Sequence, residues 1–139
     1  MNQILLVSHG DLAKGMLQTV SMLIGELDNI YAFSSYRDDE NALLYRINEK
    51  IKTFNKSDEI YILTDIFGGS VNNEVLTLLN QPNITLIAGM NLGLVVGIAT
   101  QADKINESEL DRIIQESQQG IINCNAFLAK EMNKEGDDL

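Results

Sequence analysis

Val7-Ser8-His9-Gly10-Asp11 marks the change from a continuous apolar run to a helical pattern. Before it, Gln3-Ile4-Leu5-Leu6-Val7 is an apolar run without alternation, the pattern of a strand covered on both faces. After it, Leu12, Met16, Leu17, Val20, Leu23 and Ile24 recur at helical spacing. The pattern predicts a strand over residues 3–7 and a tight turn at Gly10, which has no Cβ to obstruct it. It also predicts a helix from Asp11, the expected N-cap, to residue 24, with Gly25 as C-cap. The only histidine, His9, thus stands at the carboxyl end of a strand and over the start of a helix. In open α/β sheets that edge is where ligands and chemistry collect.

The same alternation continues outward. Residues 29–34 carry two aromatics in an alternating pattern and read as a second strand. Asp38-Asp39-Glu40-Asn41 places negative charge where the next helix should begin. Ala42, Leu43, Ile47 and Ile51 supply that helix with an apolar side. Residues 59–64 form a β-branched, apolar third strand. It runs into Asp65-Ile66-Phe67-Gly68-Gly69-Ser70 and a helix over 71–80. A turn at Gln81-Pro82-Asn83 leads to a fourth strand over 84–88. Residues 91–100 read as a buried helix and 107–119 as an amphipathic one, opened by Ser108 and Asp111 in a capping-box-like start. Residues 120–127 fit either an extension of that helix or a short last strand, and the acidic tail after Lys134 is expected to fray.

Strands alternating with helices point to a doubly wound α/β fold around a parallel sheet. A flavodoxin-like order 2-1-3-4 sets strands one and three side by side, with the switch point between them. His9 ends the first and Asp65 the third, so this topology brings the histidine to a carboxylate 56 positions away in the chain.

Composition narrows the function. The chain has 139 residues, 45% hydrophobic and 22% charged, as expected of one globular domain. A net charge of -10, with no block of Lys or Arg, argues against nucleic-acid binding. The single cysteine, Cys124, has no partner for an internal disulfide and reads as a core or interface residue. No signal peptide is evident at the start, so a cytoplasmic location is expected. The apolar runs are too short to span a bilayer. One histidine and one carboxylate fall short of a metal site, so neither metal nor cofactor is expected. Gly68-Gly69 lacks the Gly-Lys-Ser/Thr ending of a phosphate-binding P-loop.

One chemistry these residues could support is phosphoryl acceptance. The accepting histidine must be neutral, with one ring nitrogen keeping its lone pair and the other holding its proton in a fixed hydrogen bond. Asp65 suits that orienting role and would stabilise the cation that develops on attack. Gly10, Gly68 and Gly69 offer backbone amides without Cβ obstruction, and Ser70 adds a hydroxyl. Phosphoryl transfer depends on such positioning and charge stabilisation. The bland alternatives are a surface histidine, Asp65 as a turn residue, and the glycines as a plain loop.

Three stretches carry a family likeness. Ser8-His9-Gly10 with Leu12-Ala13, Gly15-Met16 and Met22-Leu23-Ile24-Gly25 resembles the start of the EIIA component of the mannose family of the phosphoenolpyruvate-dependent sugar phosphotransferase system (PTS). Thr64-Asp65-Ile66-Phe67-Gly68-Gly69-Ser70 resembles that family's second signature, and Ile87-Ala88-Gly89-Met90-Asn91-Leu92 its third. The resemblance runs from Gln3 to about Ala129, a domain over 1–130 followed by an acidic tail over 131–139. It implies that His9 is the phosphorylated histidine, that Asp65 hydrogen-bonds its ring, and that Gly68, Gly69 and Ser70 hold the phosphoryl group. It implies HPr as phosphoryl donor and a histidine of the cognate EIIB as acceptor. The membrane pair EIIC/EIID then imports the sugar. It further implies a homodimer that exchanges a C-terminal antiparallel edge strand, which would assign 120–127. Family members often carry proline after the Gly-Gly-Ser, whereas Val71, Asn72 and Asn73 follow here. No EIIB is expected on the same chain.

Other readings differ in specific residues. The phosphocarrier subunit of a dihydroxyacetone kinase also uses an N-terminal histidine, but usually follows it with serine. Gly10 and the Gly-Gly-Ser loop favour the sugar system. A receiver-type domain needs acids for Mg²⁺ at the end of strand one, where Ser8-His9 stands. A regulatory binding module, phosphorylated only as a signal, shares every residue named. The net charge predicts a donor with a basic or apolar contact face.

Overall fold

The structure, a computed structural model, describes residues 1–36 and 42–137, with side chains to residue 134. The acidic start expected for the second helix, Asp38 to Asn41, lies outside the described residues. Four strands form one parallel sheet in the order β2-β1-β3-β4. They are β1 (Asn2–His9), β2 (Ile30–Ser35), β3 (Glu59–Thr64) and β4 (Ile84–Ala88). Register pairs Val7 with both Phe33 and Thr64, so β1 and β2 end level at His9 and Ser35, and β3 ends two residues short of them.

Burial follows from this order. β1 and β3 are the inner strands, covered on both faces, which is why their apolar runs do not alternate. Ile4, Leu6, Tyr61 and Leu63 face one layer, made of α1 (Leu12–Ile24), α4 (Leu92–Ala99) and α5 (Glu107–Gln119). Leu5, Val7, Ile60 and Ile62 face the other, made of α2 (Ala42–Ile51) and α3 (Ser70–Val75), which continues as a 3₁₀ turn over Leu76–Leu78. Each fully buried Leu or Ile here contributes roughly 1.5–3 kcal/mol. Gly97 lets α4 approach α5: a Cβ there would meet Ile113 Cγ2 at 2.8 Å.

Three expectations are corrected. Asp11 occupies the N-cap position of α1 but makes no capping bond. The Ser8 hydroxyl instead accepts from the Ala13 amide at 2.7 Å, and the Asp11 carboxylate accepts from the Tyr36 hydroxyl. With ψ at 9°, Asp11 is not in the extended conformation that aims an N-cap side chain at its helix. Second, α5 is capped by Asn106, which accepts from the Glu109 amide at 2.8 Å, and not by Ser108 with Asp111. Third, 120–127 forms no edge strand. Asn123 accepts from the Ala126 amide at 3.2 Å and opens a helix, α6 (Cys124–Asp137), and the end of the tail expected to fray, residues 138 and 139, lies outside the described residues. The Ala, Leu, Lys, Glu and Met that follow favour a helix, and a strand would require a partner edge. The sheet is therefore wholly parallel among the described residues, and β4 has one unpaired edge.

Candidate functional site

The site assembles where β1 and β3 end. His9 is the last residue of β1 and keeps its ring half exposed, at 51%. Asp65 follows the last residue of β3 and is nearly covered, at 10%. Asp65 Oδ2 lies 2.7 Å from His9 Nδ1 and also accepts from the His9 amide at 2.8 Å. Its other oxygen accepts from the Ile66 amide at 2.9 Å. Burial pushes the Asp65 carboxyl up, but the bonds from the His9 amide and ring, and from the Ile66 amide, outweigh it and hold it below its usual value. The group is an acceptor-only carboxylate, which assigns the ring proton to Nδ1.

Nε2 of the neutral ring then carries the lone pair. Ser70 Oγ lies 3.0 Å from it and donates to it. Ser70 is the first residue of α3, set there by Gly68 and Gly69. Gly68 has φ +78°, a left-handed conformation that favours glycine. Gly69 is packed against the site: a Cβ there would meet Ile66 Cγ2 at 2.7 Å and His9 Cε1 at 3.5 Å. The fold thus brings His9, Asp65, Gly68, Gly69 and Ser70 together across 61 positions of sequence. Gly10 stands apart. Its φ of +53° makes the turn, and its amide donates to the Ser35 carbonyl at 2.8 Å, away from the ring.

The loop has supports that sequence reasoning missed. The Thr64 hydroxyl donates to Asn72 Oδ1 at 2.7 Å, both residues buried, tying the end of β3 to the start of α3. Asn73 Nδ2 donates to the Gly68 carbonyl at 3.3 Å. The clue was a hydroxyl ending an apolar strand, followed by two asparagines eight and nine positions on. Apolar side chains surround the ring end of the sheet. Phe67 is 83% exposed, and Ile66 and Leu12 are more than half exposed. No helix among the described residues is long and apolar enough to cross a membrane.

Known proteins resemble this chain over most of its length. Residues 3–115 match the EIIA-man family model, described as PTS system fructose IIA component. The chain is 31% identical over 110 residues to the sorbose-specific EIIA component of Klebsiella pneumoniae, covering 78% of this chain and 80% of that protein. It is 23% identical over 133 residues to the fructose-specific EIIA component of Bacillus subtilis, covering 94% and 91%. Among solved structures it is similar to the PTS IIA protein associated with the fucose utilization operon of Streptococcus pneumoniae. The TM-score is 0.80 at 28% identity, covering 91% of this chain and 96% of that one. With a histidine and a carboxylate at the switch point, and a family match over most of its length, this chain belongs to the mannose-type EIIA family of the sugar phosphotransferase system.

Proposed function

We propose that the protein is a phosphoryl carrier, in which His9 Nε2 takes a phosphoryl group from the phosphohistidine of HPr and gives it to a histidine of EIIB. The carrying observation is the paired contact of Asp65 Oδ2 with His9 Nδ1 and the His9 amide. That contact holds the proton on Nδ1 and leaves Nε2 free to attack. As the Nε2–P bond forms, the bond from phosphorus to the donor's ring nitrogen breaks, and the electron pair leaves with the donor imidazole. The Nδ1 proton stays in place. Positive charge developing on the His9 ring is balanced by Asp65 at 2.7 Å. Ser70, which donates to the Nε2 lone pair at rest, turns its hydroxyl to a phosphoryl oxygen as the donor's phosphoryl group approaches, and so releases the lone pair for attack. Gly69 leaves the space beside the ring open, since a Cβ there would lie 3.5 Å from His9 Cε1, and the Gly68-Gly69 turn lets backbone approach the phosphoryl group in this reading. The reverse step, to EIIB, uses the same atoms.

Both partners must bring a histidine to Nε2, so both dock on the exposed apolar collar of Leu12, Ile66 and Phe67. The net charge of -10 supports a donor with a basic or apolar contact face. Transfer rates indifferent to ionic strength would rule out charge steering. The chain also pairs with a second copy in this reading, supported by the open edge of β4 and by exposed Ile121, Ile122, Phe127 and Leu128. The membrane subunits EIIC and EIID act downstream of EIIB.

The test is intact-mass spectrometry after incubation with phosphoenolpyruvate, Enzyme I and HPr, before and after brief acid. One added phosphoryl group, lost in acid and absent from His9→Ala, is expected. No added mass with a matched HPr overturns the transport reading.

A further inference from the structure

The end of the sheet opposite His9 holds a cavity of about 500 Å³ that the phosphoryl chemistry does not use. It opens between the segment after α2 and the turn before β4. Its size falls within the range of small-molecule sites. The floor is apolar: Ile51, Phe54 and Ile60, with Pro82 at the side. Phe54 is braced from behind by Tyr31, ring centroids 5.6 Å apart, and Lys50 caps Tyr31 at 3.9 Å from its centroid.

The rim is cationic in an acidic protein. Four of the ten Lys and Arg residues fall between positions 46 and 56, against one acid, Glu49. Two of them, Lys52 and Lys56, line the cavity. Lys52 Nζ is 2.9 Å from Glu49, an exposed pair that is weak and readily exchanged. Lys56 makes no ion pair or hydrogen bond among the described residues, and the side chains of Asn55 and Gln81 beside it make no hydrogen bond. The neighbouring acids are engaged elsewhere. Asp58 is buried and accepts from Gln3 and from the Asn55 amide, and Glu59 faces Lys104 at 3.5 Å.

We propose that this cavity is a second binding site, for a small organic anion that carries a phosphate or carboxylate on a ring-sized body. Lys56 and the Asn55 and Gln81 amides hold the anionic group, with Lys52 recruited from Glu49. The ring lies on Phe54 and Pro82. The site is independent of His9, because β3 separates the two: Ile60 lines the cavity, and Asp65 lies beyond the strand's other end.

The test is a titration of the full chain with phenyl phosphate, followed by backbone amide NMR, with inorganic phosphate as comparator. Saturable shifts confined to residues 51–56 and 81–83 are expected, with inorganic phosphate binding more weakly. Lys56→Glu should weaken phenyl phosphate by about tenfold or more, from loss of a charge-assisted hydrogen bond and reversal of charge. Phosphoryl acceptance at His9 should be unchanged in that variant. Shifts that do not saturate, shifts only around His9 and Ser70, or an unchanged affinity in Lys56→Glu would each overturn the proposal. Equal affinity for inorganic phosphate would overturn the role of Phe54.

Discussion

The loop over residues 65–70 and the segment over 120–134 both expose large apolar side chains, and they are held in opposite ways. In the loop, Ile66 and Phe67 ride on a frame fixed by one bond to a distant strand, Asp65 to His9, and by one that closes the loop beneath it, Thr64 to Asn72. In the C-terminal segment, Ile121, Ile122, Phe127, Leu128 and Met132 ride on a helix whose bonds are local, such as Asn123 to Ala126. Every described side chain of α6 is exposed. The first region is held in place before any contact is made, so in the proposed function a partner docking there loses little entropy. The second makes only local hydrogen bonds among the described residues, so its apolar face depends on whatever covers it.

The strongest way to break the comparison is His9→Ala. Phosphoryl acceptance should vanish while the thermal transition stays near wild type, because the half-exposed ring packs little core. If acceptance persisted at the normal level in the mass assay, the frame would be serving some other residue. Asp65→Asn should slow transfer by about 100-fold without abolishing it, as the amide oxygen still accepts from Nδ1 but no longer balances the ring's charge. Rapid-quench measurement of transfer from phospho-HPr would show this. Ser70→Ala should cost about tenfold, the value of one hydrogen bond lost in the transition state. An effect as large as that of Asp65→Asn would make the hydroxyl the dominant phosphoryl ligand.

Removing residues 121–139 tests the other region. Acceptance per chain should hold, and the thermal transition should lose its dependence on protein concentration, since the described side chains of this segment are exposed and contribute only through association. The mass by light scattering should fall from dimer to monomer. A drop in acceptance that parallels the drop in mass would join the two regions into one site. The smallest effect is on acid stability. The Asp65 carboxyl lies below its usual 3.8 in the folded chain, so its contribution is complete above that value and is lost as pH falls through the lower folded one. Urea unfolding from about pH 5 to about pH 2 should therefore fall less steeply in Asp65→Asn than in the wild type.

Much of this was legible along the chain. The bounds of β3, β4 and α5 coincide with the expected ones, because each is an unbroken apolar or amphipathic run ended by Gly, Pro or a polar turn. The strand order and the meeting of His9 with Asp65 followed from the alternation of strands and helices. Capping was misread at Asp11 and Ser108, since several polar residues near each helix start could fill the role. Backbone torsion at the start decided between them, and no pattern of residue types encodes it. Asn72 was passed over for a similar reason: its burial under Thr64 depends on how α3 leaves the loop.

The C-terminal stretch marks the limit most clearly. Ile121-Ile122-Asn123-Cys124 has strand-like content, yet the Asn123 cap and the helix formers after it prevail when no neighbouring edge is present. The sequence alone carries the periodic elements, the charge and, through the alternation of strands and helices, a favoured strand order that sets a histidine beside a carboxylate. These follow from local spacing and from the short list of ways such elements pack. Only the tertiary structure decided which nitrogen of His9 is held and which is offered, that Gly10 turns its amide to Ser35, and that lysines frame a cavity at the far end of the sheet. Those are matters of ångströms between atoms from distant parts of the chain, fixed when β1 and β3 lie side by side and not before.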